Sequence, residues 1–169
     1  MQFIKVLLLI MPLQLSAYVT KTINTSTILA HAKTLPTEGI IAQDAKGKIY
    51  LQVAEAFILD LIAMLPDKEF NKPPETARIM IFAEDEINPA KPLPEIGSKI
   101  KFRTLGAFSQ VKDNQEHFLL AVDAPELHQL RKKYAESANL KDKSFVMEIA
   151  VKDYQGAEDQ LVDKDTTND

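Results

Sequence analysis

Residues 99–122 read KIKFRTLGAFSQVKDNQEHFLLAV and contain the clearest strand pattern of the chain. Apolar Ile100 and Phe102 alternate with three basic residues, which is the period of a strand that turns one face to a core. The basic residues are Lys99, Lys101 and Arg103. A sheet strand therefore begins at residue 99, with a basic stripe on its other face.

The same stretch predicts a bent hairpin. Its alternation slips around Gly106, where we expect a bulge or a bend. Residues 111–116 predict a hairpin turn, and residues 117–122 predict a buried returning strand. We expect this pair of strands to form the centre of the sheet.

Upstream, a second hairpin is predicted. Residues 39–43 and 48–53 flank a turn at 44–47 that contains an aspartate and a glycine. The period then changes to that of a helix ending before Pro66. Because the helical stripe can be extended backwards, Ile49–Leu65 is either one helix or a strand followed by a helix.

Further elements follow on both sides of the bent hairpin. Residues 77–83 are apolar on both faces and predict a central strand between two irregular, proline-containing stretches, 67–76 and 84–98. Asp123, Pro125 and Glu126 predict a capped helix that runs to about Ala138. Residues 144–152 alternate again and predict a last strand.

In this order, the elements predict an α+β fold with a mainly antiparallel sheet and one or two packed helices. The alternative is a five-stranded barrel of the oligonucleotide/oligosaccharide-binding type, since a bent strand and a helix before a late strand are compatible with it.

The amino-terminal residues predict export. Lys5 precedes an apolar core of about ten residues, and Ser16 and Ala17 follow it. This core is too short to cross a bilayer, which takes about twenty residues. We expect cleavage after Ala17, a periplasmic or secreted protein, and no stable membrane anchor afterwards.

The domain organisation follows from composition. Residues 1–17 are the predicted signal peptide, 18–37 a linker or loosely packed lead-in, 38–154 one globular domain and 155–169 an acidic disordered tail. The chain has no cysteine, which excludes disulfides, thiol catalysis and thiolate metal sites. The net charge of −4 gives no general attraction to nucleic acid.

No catalytic residue, cofactor or metal site is assigned from the sequence. The three histidines lack metal-ligand spacing, although His117 and His128 could approach each other across a turn. Glu84 and Glu148 could form an acid and base pair on adjacent strands. We consider solvated surface groups the better interpretation of these residues.

A binding surface is the stronger candidate. The basic stripe of the bent strand, together with aromatic residues, could hold single-stranded nucleic acid or an anionic glycan in a barrel. Its candidate residues are Tyr50, Lys99, Lys101, Arg103, Phe108 and Lys112. The two irregular stretches, by contrast, are of a length that often serves recognition of proteins.

The sequence therefore predicts an exported, non-enzymatic binding or accessory protein of a bacterial envelope or secretion system. A protein partner in the envelope is expected, and nucleic acid is not. Two alternatives stay open: a barrel that binds glycan or single-stranded nucleic acid, and a small hydrolase that uses carboxylates or histidine.

Overall fold

The computed structural model describes residues 20–21, 25–84, 86, 93–135 and 144–154. These residues contain three helices and eight strands. In chain order the elements are β1 (Thr20–Lys21), α1 (Ser26–Ala32), β2 (Glu38–Gln43), β3 (Ile49–Gln52), α2 (Ala56–Met64), β4 (Arg78–Phe82), β5 (Lys99–Lys101), β6 (Arg103–Lys112), β7 (Gln115–Asp123), α3 (Pro125–Tyr134) and β8 (Phe145–Asp153).

The strands form one antiparallel sheet in the order β1-β6-β7-β8-β4-β3-β2-β5. The predicted α+β class with a mainly antiparallel sheet is thus confirmed. The five-stranded barrel alternative is wrong, because the described residues alone supply eight strands. The expected position of the bent hairpin is also wrong: β4 and β8 form the centre of the sheet, and β6 lies next to the β1 edge.

The sheet curls around a helix. β5 and β6 lie far apart in the strand order, yet only Phe102 separates them in sequence. This connection requires the two ends of the sheet to approach each other. The ring of Phe102 lies 5.6 Å from that of Phe57 in α2, on the concave side of the sheet. There the buried Phe57, Ile58 and Leu61 pack into the core.

The segment Ile49–Leu65 is a strand followed by a helix. β3 covers residues 49–52 and pairs with both β2 and β4, while α2 begins at Ala56. In the preceding turn, the Asp44 carboxylate accepts hydrogen bonds from the backbone N–H groups of Lys46 and Lys48. Gly47 takes a φ of 88°, a value that a side chain disfavours.

The predicted turn and bend of the bent hairpin are both present. Asp113 and Asn114 join β6 to β7 with φ values of 52° and 58°. Two consecutive positive φ angles match the twist of a tight hairpin, and Asp and Asn tolerate them. The register shifts between Thr104 and Gly106, where the sequence predicts a bulge.

Two local predictions are corrected. The stretch 18–37 contains α1, whose Ile28 and Ala32 are buried in the core, so this part of it is not a loose lead-in. Asp123 does not cap α3: the N-cap residue is Ala124, and no side chain caps the helix. The carboxylate of Asp123 binds Arg103 on the neighbouring strand instead.

The predicted signal peptide, the acidic tail and most of residues 84–92 lie outside the described residues. Within the described part, no helix is long and apolar enough to cross a membrane.

Candidate functional site

The last strand of the sheet, β5, has one edge that no other described strand covers. On its inner edge, the N–H of Phe102 donates to the carbonyl of Thr37, and the Ser98 carbonyl accepts from the N–H of Ile41. Because peptide groups alternate along an antiparallel strand, those of Lys99 and Lys101 point to the outer edge. Two residues therefore present backbone donors and acceptors away from β2.

Helix α3 lies beside this outer edge. β7 pairs with β6 as far as Asp123, which lies opposite Arg103. The chain then leaves the sheet at Ala124 and enters α3. Pro125 at the start of the helix cannot continue strand pairing because it lacks an N–H. The end of β7 thus leaves space between β5 and α3.

The space is a groove made of two depressions. One has a volume of about 360 Å³ and lies between β5 and α3. Its lining residues are Glu95, Ser98, Lys99, Ile100, Glu126, Gln129, Leu130 and Lys133. The other, of about 380 Å³, is lined by Lys101, Phe102, Arg103, Asp123 and Pro125. We call these two depressions together the β5–α3 groove.

The groove combines buried apolar residues with paired charges. Ile100, Phe102 and Leu130 are at most 7% exposed. The cations at its rim have acidic partners: Lys99 Nζ lies 3.0 Å from Glu38, Arg103 lies 2.7 Å from Asp123, and Lys133 Nζ lies 3.0 Å from Glu95. Lys101 is exposed, and within the described residues it forms no ion pair.

Glu95 joins the turn before β5 to α3. Burial alone would raise the pKa of its carboxyl. Hydrogen bonds from Lys133, the backbone and Tyr134 lower this pKa, as does the charge of Lys133, and the net effect is a lowered pKa. The pKa of Lys133 is raised in turn by hydrogen bonding with Tyr134 and Glu95, against a smaller opposing effect of burial. At neutral pH this cluster therefore keeps both charges at one end of the groove.

The six predicted surface residues do not form one site. Lys99, Lys101 and Arg103 line the β5–α3 groove. Phe108 and Lys112 lie farther along β6. Tyr50 lies on β3, where the guanidinium of Arg78 stacks 4.8 Å from the centre of its ring. The basic stripe is thus part of an edge groove, separate from the aromatic residues expected to accompany it.

The two side-chain pairings that the sequence left possible, His117 with His128 and Glu84 with Glu148, are not formed. His128 lies 4.0 Å from Asp123 and meets the ring of Phe145 edge-on, at the end of β7 opposite to His117. Glu148 is in register with Arg78 at the start of β4, whereas Glu84 follows the end of β4. These separations overturn the His117/His128 and Glu84/Glu148 pairings.

Instead, Nδ1 of His117 contacts a carboxylate oxygen of Glu148. The two side chains lie on the outer face of the sheet, on β7 and β8. No group of three or more potential metal ligands occurs within the described ranges.

Sequence reasoning found the basic residues of the groove but missed its other wall. The sequence predicts the helix that contains Gln129 and Leu130 but not the strand that it lies beside. The residue pattern of a helix does not predict which sheet edge the helix will lie beside. The alternation of residues 99–103 is therefore the only sequence signal for this site.

Comparisons with known proteins give no match: no family model, curated protein or solved structure is significantly similar to this chain.

Proposed function

We propose that this is an exported, non-enzymatic binding protein that serves as an accessory component of a bacterial envelope or secretion system. It takes an extended segment of a protein partner in the β5–α3 groove. The observation that carries the proposal is the edge of β5 that no described strand covers, where the peptide groups of Lys99 and Lys101 point toward the groove.

Addition of a strand to a sheet edge is a recurrent way to bind peptides. Backbone hydrogen bonds supply affinity, and pockets for alternate side chains supply specificity. The groove runs along residues 98–103, roughly 17 Å at about 3.3 Å per residue, which fits about five residues of an extended partner. Ile100 and Leu130 offer an apolar contact for the inward-facing side chains.

The charges favour a peptide over a polyanion. Lys99, Arg103 and Lys133 each have an acidic partner, so the groove carries alternating charges. A polyphosphate backbone is bound mainly by unpaired cations that replace its counterions. A protein segment with apolar and mixed charged side chains is the better complement.

The proposal is tested by removing one backbone donor. We expect Lys101→Pro to abolish peptide capture, because proline lacks the N–H that points to the outer edge. Lys101→Ala keeps this N–H and should bind within about twofold of the original protein. The probe is a phage library of random peptides selected on the original protein, followed by titration of the selected peptides against each variant.

The inner edge of β5 is unaffected by either substitution, since the backbone groups on that side belong to Ser98, Ile100 and Phe102. Equal thermal unfolding of the two variants therefore serves as the folding control. Equal peptide affinity of Lys101→Pro and Lys101→Ala, or failure of the library to yield any peptide, would contradict strand addition at β5.

Export is tested separately by intact mass. All described elements follow residue 19, so cleavage after Ala17 would leave each of them in the mature chain. We expect the protein from its source to begin at Tyr18 and to fractionate with exported proteins. Recovery of the uncleaved chain from the cytosol would reject the envelope role while leaving the groove as a peptide site.

A further inference from the structure

Two charged side chains that line the β5–α3 groove have no partner of opposite charge among the described residues. They are Lys101 and Glu126, and both are exposed. The other charges of the groove belong to three ion pairs. An approaching segment therefore meets two uncompensated charges, one on each wall.

The two charges face different sides of an added strand. Side chains alternate along β5, so Lys101 lies on the face opposite to the buried Ile100. Helix α3 lies on the face of Ile100, because Leu130 of the helix lines the same depression. Side chains of an added strand that share the face of Ile100 therefore point toward α3 and Glu126, and away from Lys101.

Helix α3 runs along β5 in the opposite direction. Its first residue lies beside Arg103, and Lys133 in its last turn binds Glu95, which precedes β5. The helix therefore presents Glu126 nearer the Arg103 end of the groove and Leu130 nearer the Glu95 end.

The spacing of Glu126 and Leu130 on the helix matches that of alternate residues on a strand. Four residues of a helix rise about 6 Å, at about 1.5 Å each. Two residues of a strand rise about 6.6 Å, at about 3.3 Å each. Because residues i and i+4 share one helix face, these two side chains can contact two alternate side chains of an added strand.

Ile100 and Leu130 favour an aliphatic side chain at one of these two positions. They are 6% and 7% exposed and line the depression of about 360 Å³. An aliphatic side chain placed between them removes further apolar surface from water. We therefore expect Val, Leu or Ile at this position of the partner.

On the basis of the proposed strand addition at β5, we infer that the groove recognises a segment with a Lys or Arg two residues before an aliphatic residue. The aliphatic side chain packs on Ile100 and Leu130, and the cation pairs with Glu126. Charges across an interface act mainly on specificity, and a like charge placed opposite costs affinity. Glu126 thus determines which charge the partner carries.

The order of the two residues follows from an antiparallel partner. All strand pairs in the described sheet are antiparallel, and antiparallel pairing is slightly more stable per residue. An antiparallel segment enters at the Arg103 end, passes Glu126 first and then reaches Leu130. A parallel segment would carry the same residues in the reverse order.

The first test uses the peptides that the random phage library yields on the original protein. We expect Lys or Arg two residues before Val, Leu or Ile to be the enriched pattern. In titrations followed by fluorescence anisotropy, replacing the cation of a selected peptide by Glu should weaken binding about fivefold, because an exposed ion pair becomes a repulsion. Replacing the aliphatic residue by Ser should weaken binding at least about tenfold.

The second test changes the charge on the protein. Glu126→Gln keeps the shape of the side chain and should bind the Lys and Glu forms of the peptide within about twofold of each other. Glu126→Lys should prefer the Glu form by about fivefold. This gain of binding, together with native circular dichroism, shows that α3 is intact in the variant.

Glu69→Lys is the matched control for net charge. Glu69 is exposed in the loop where Asn71 pairs with Val151, near the end of β8 that lies away from α3. This variant should keep the preference of the original protein for the Lys form.

Equal binding of the Lys and Glu forms by the original protein, or an unchanged preference in Glu126→Lys, would overturn the role of Glu126. Enrichment of the reverse order, aliphatic before basic, would overturn the antiparallel direction. Both results are compatible with peptide capture in the groove. Equal binding by Lys101→Pro and Lys101→Ala, by contrast, rejects strand addition itself.

Discussion

Replacing Arg131 by alanine is expected to lower the free energy of unfolding by about 3 kcal/mol. Arg131 is only 3% exposed, although the pattern of α3 assigns it to the solvent-facing side together with Lys132. Its Nε donates to the carbonyl of Ile81 and its Nη2 to that of Met80, both at 3.0 Å. The alanine variant leaves these carbonyls without their donor and opens a cavity.

Hydrogen bonds and packing contribute to this stabilisation. Burial lowers the pKa of Arg131 to about 10, while the charge of Glu86 acts in the opposite direction. A cation whose pKa is lower in the folded state opposes folding at neutral pH. The guanidinium also lies 3.7 Å from the centre of the Phe145 ring, which joins α3 to β8.

Urea unfolding of three variants separates these contributions. Arg131→Met fills much of the space without a charge and should cost about 1 kcal/mol, less than alanine. Lys132→Ala, the exposed control on the same helix, should change stability by less than about 0.5 kcal/mol. A cost for Arg131→Ala no greater than that for Lys132→Ala would show that the buried bonds do not support the fold.

Gly39→Ala is expected to lower the free energy of unfolding by about 2 to 4 kcal/mol. A Cβ at this position would lie 2.5 Å from the carbonyl oxygen of Gln52 and 2.7 Å from Cγ of Leu51. Gly39 is the second residue of β2 and pairs with Ile100 of β5, while the following residues of β2 pair with β3. The strand cannot shift to relieve the clash without disturbing both pairings.

Gly106→Ala in β6 is the matched control. No atom lies within 4 Å of a Cβ built there, and Gly106 does not have a positive φ. This variant should be neutral or more stable by up to about 1 kcal/mol, because alanine restricts the unfolded chain. Thermal unfolding compares the two, and equal midpoints would contradict the close approach at Gly39. Because β2 supports the inner edge of β5, Gly39→Ala should weaken peptide capture as well.

The candidate site could be predicted only in part. Alternation along residues 99–103 indicates a strand with a basic face, and this stripe does line the β5–α3 groove. The sequence does not show that β5 is the last strand, since it is followed after one residue by a strand near the other end of the sheet order. The ion pairs that neutralise the stripe depend on Glu38 and Asp123, which adjacent strands bring to it.

Several features of the fold can be predicted from local chemistry alone. The α+β class, the two hairpins, their turns and the bulge near Gly106 all follow from side-chain period and from residues that accept positive φ, which depend on near neighbours in the chain.

Four other features appear only in the folded chain: the strand order, the burial of Arg131, the packing of α1 and the edge position of β5. These features depend on contacts between residues far apart in sequence. Arg131 lies in a polar helical pattern, yet it is buried because two carbonyls of β4 and the ring of Phe145 surround its guanidinium. The residue pattern of α3 alone contains no information about these partners.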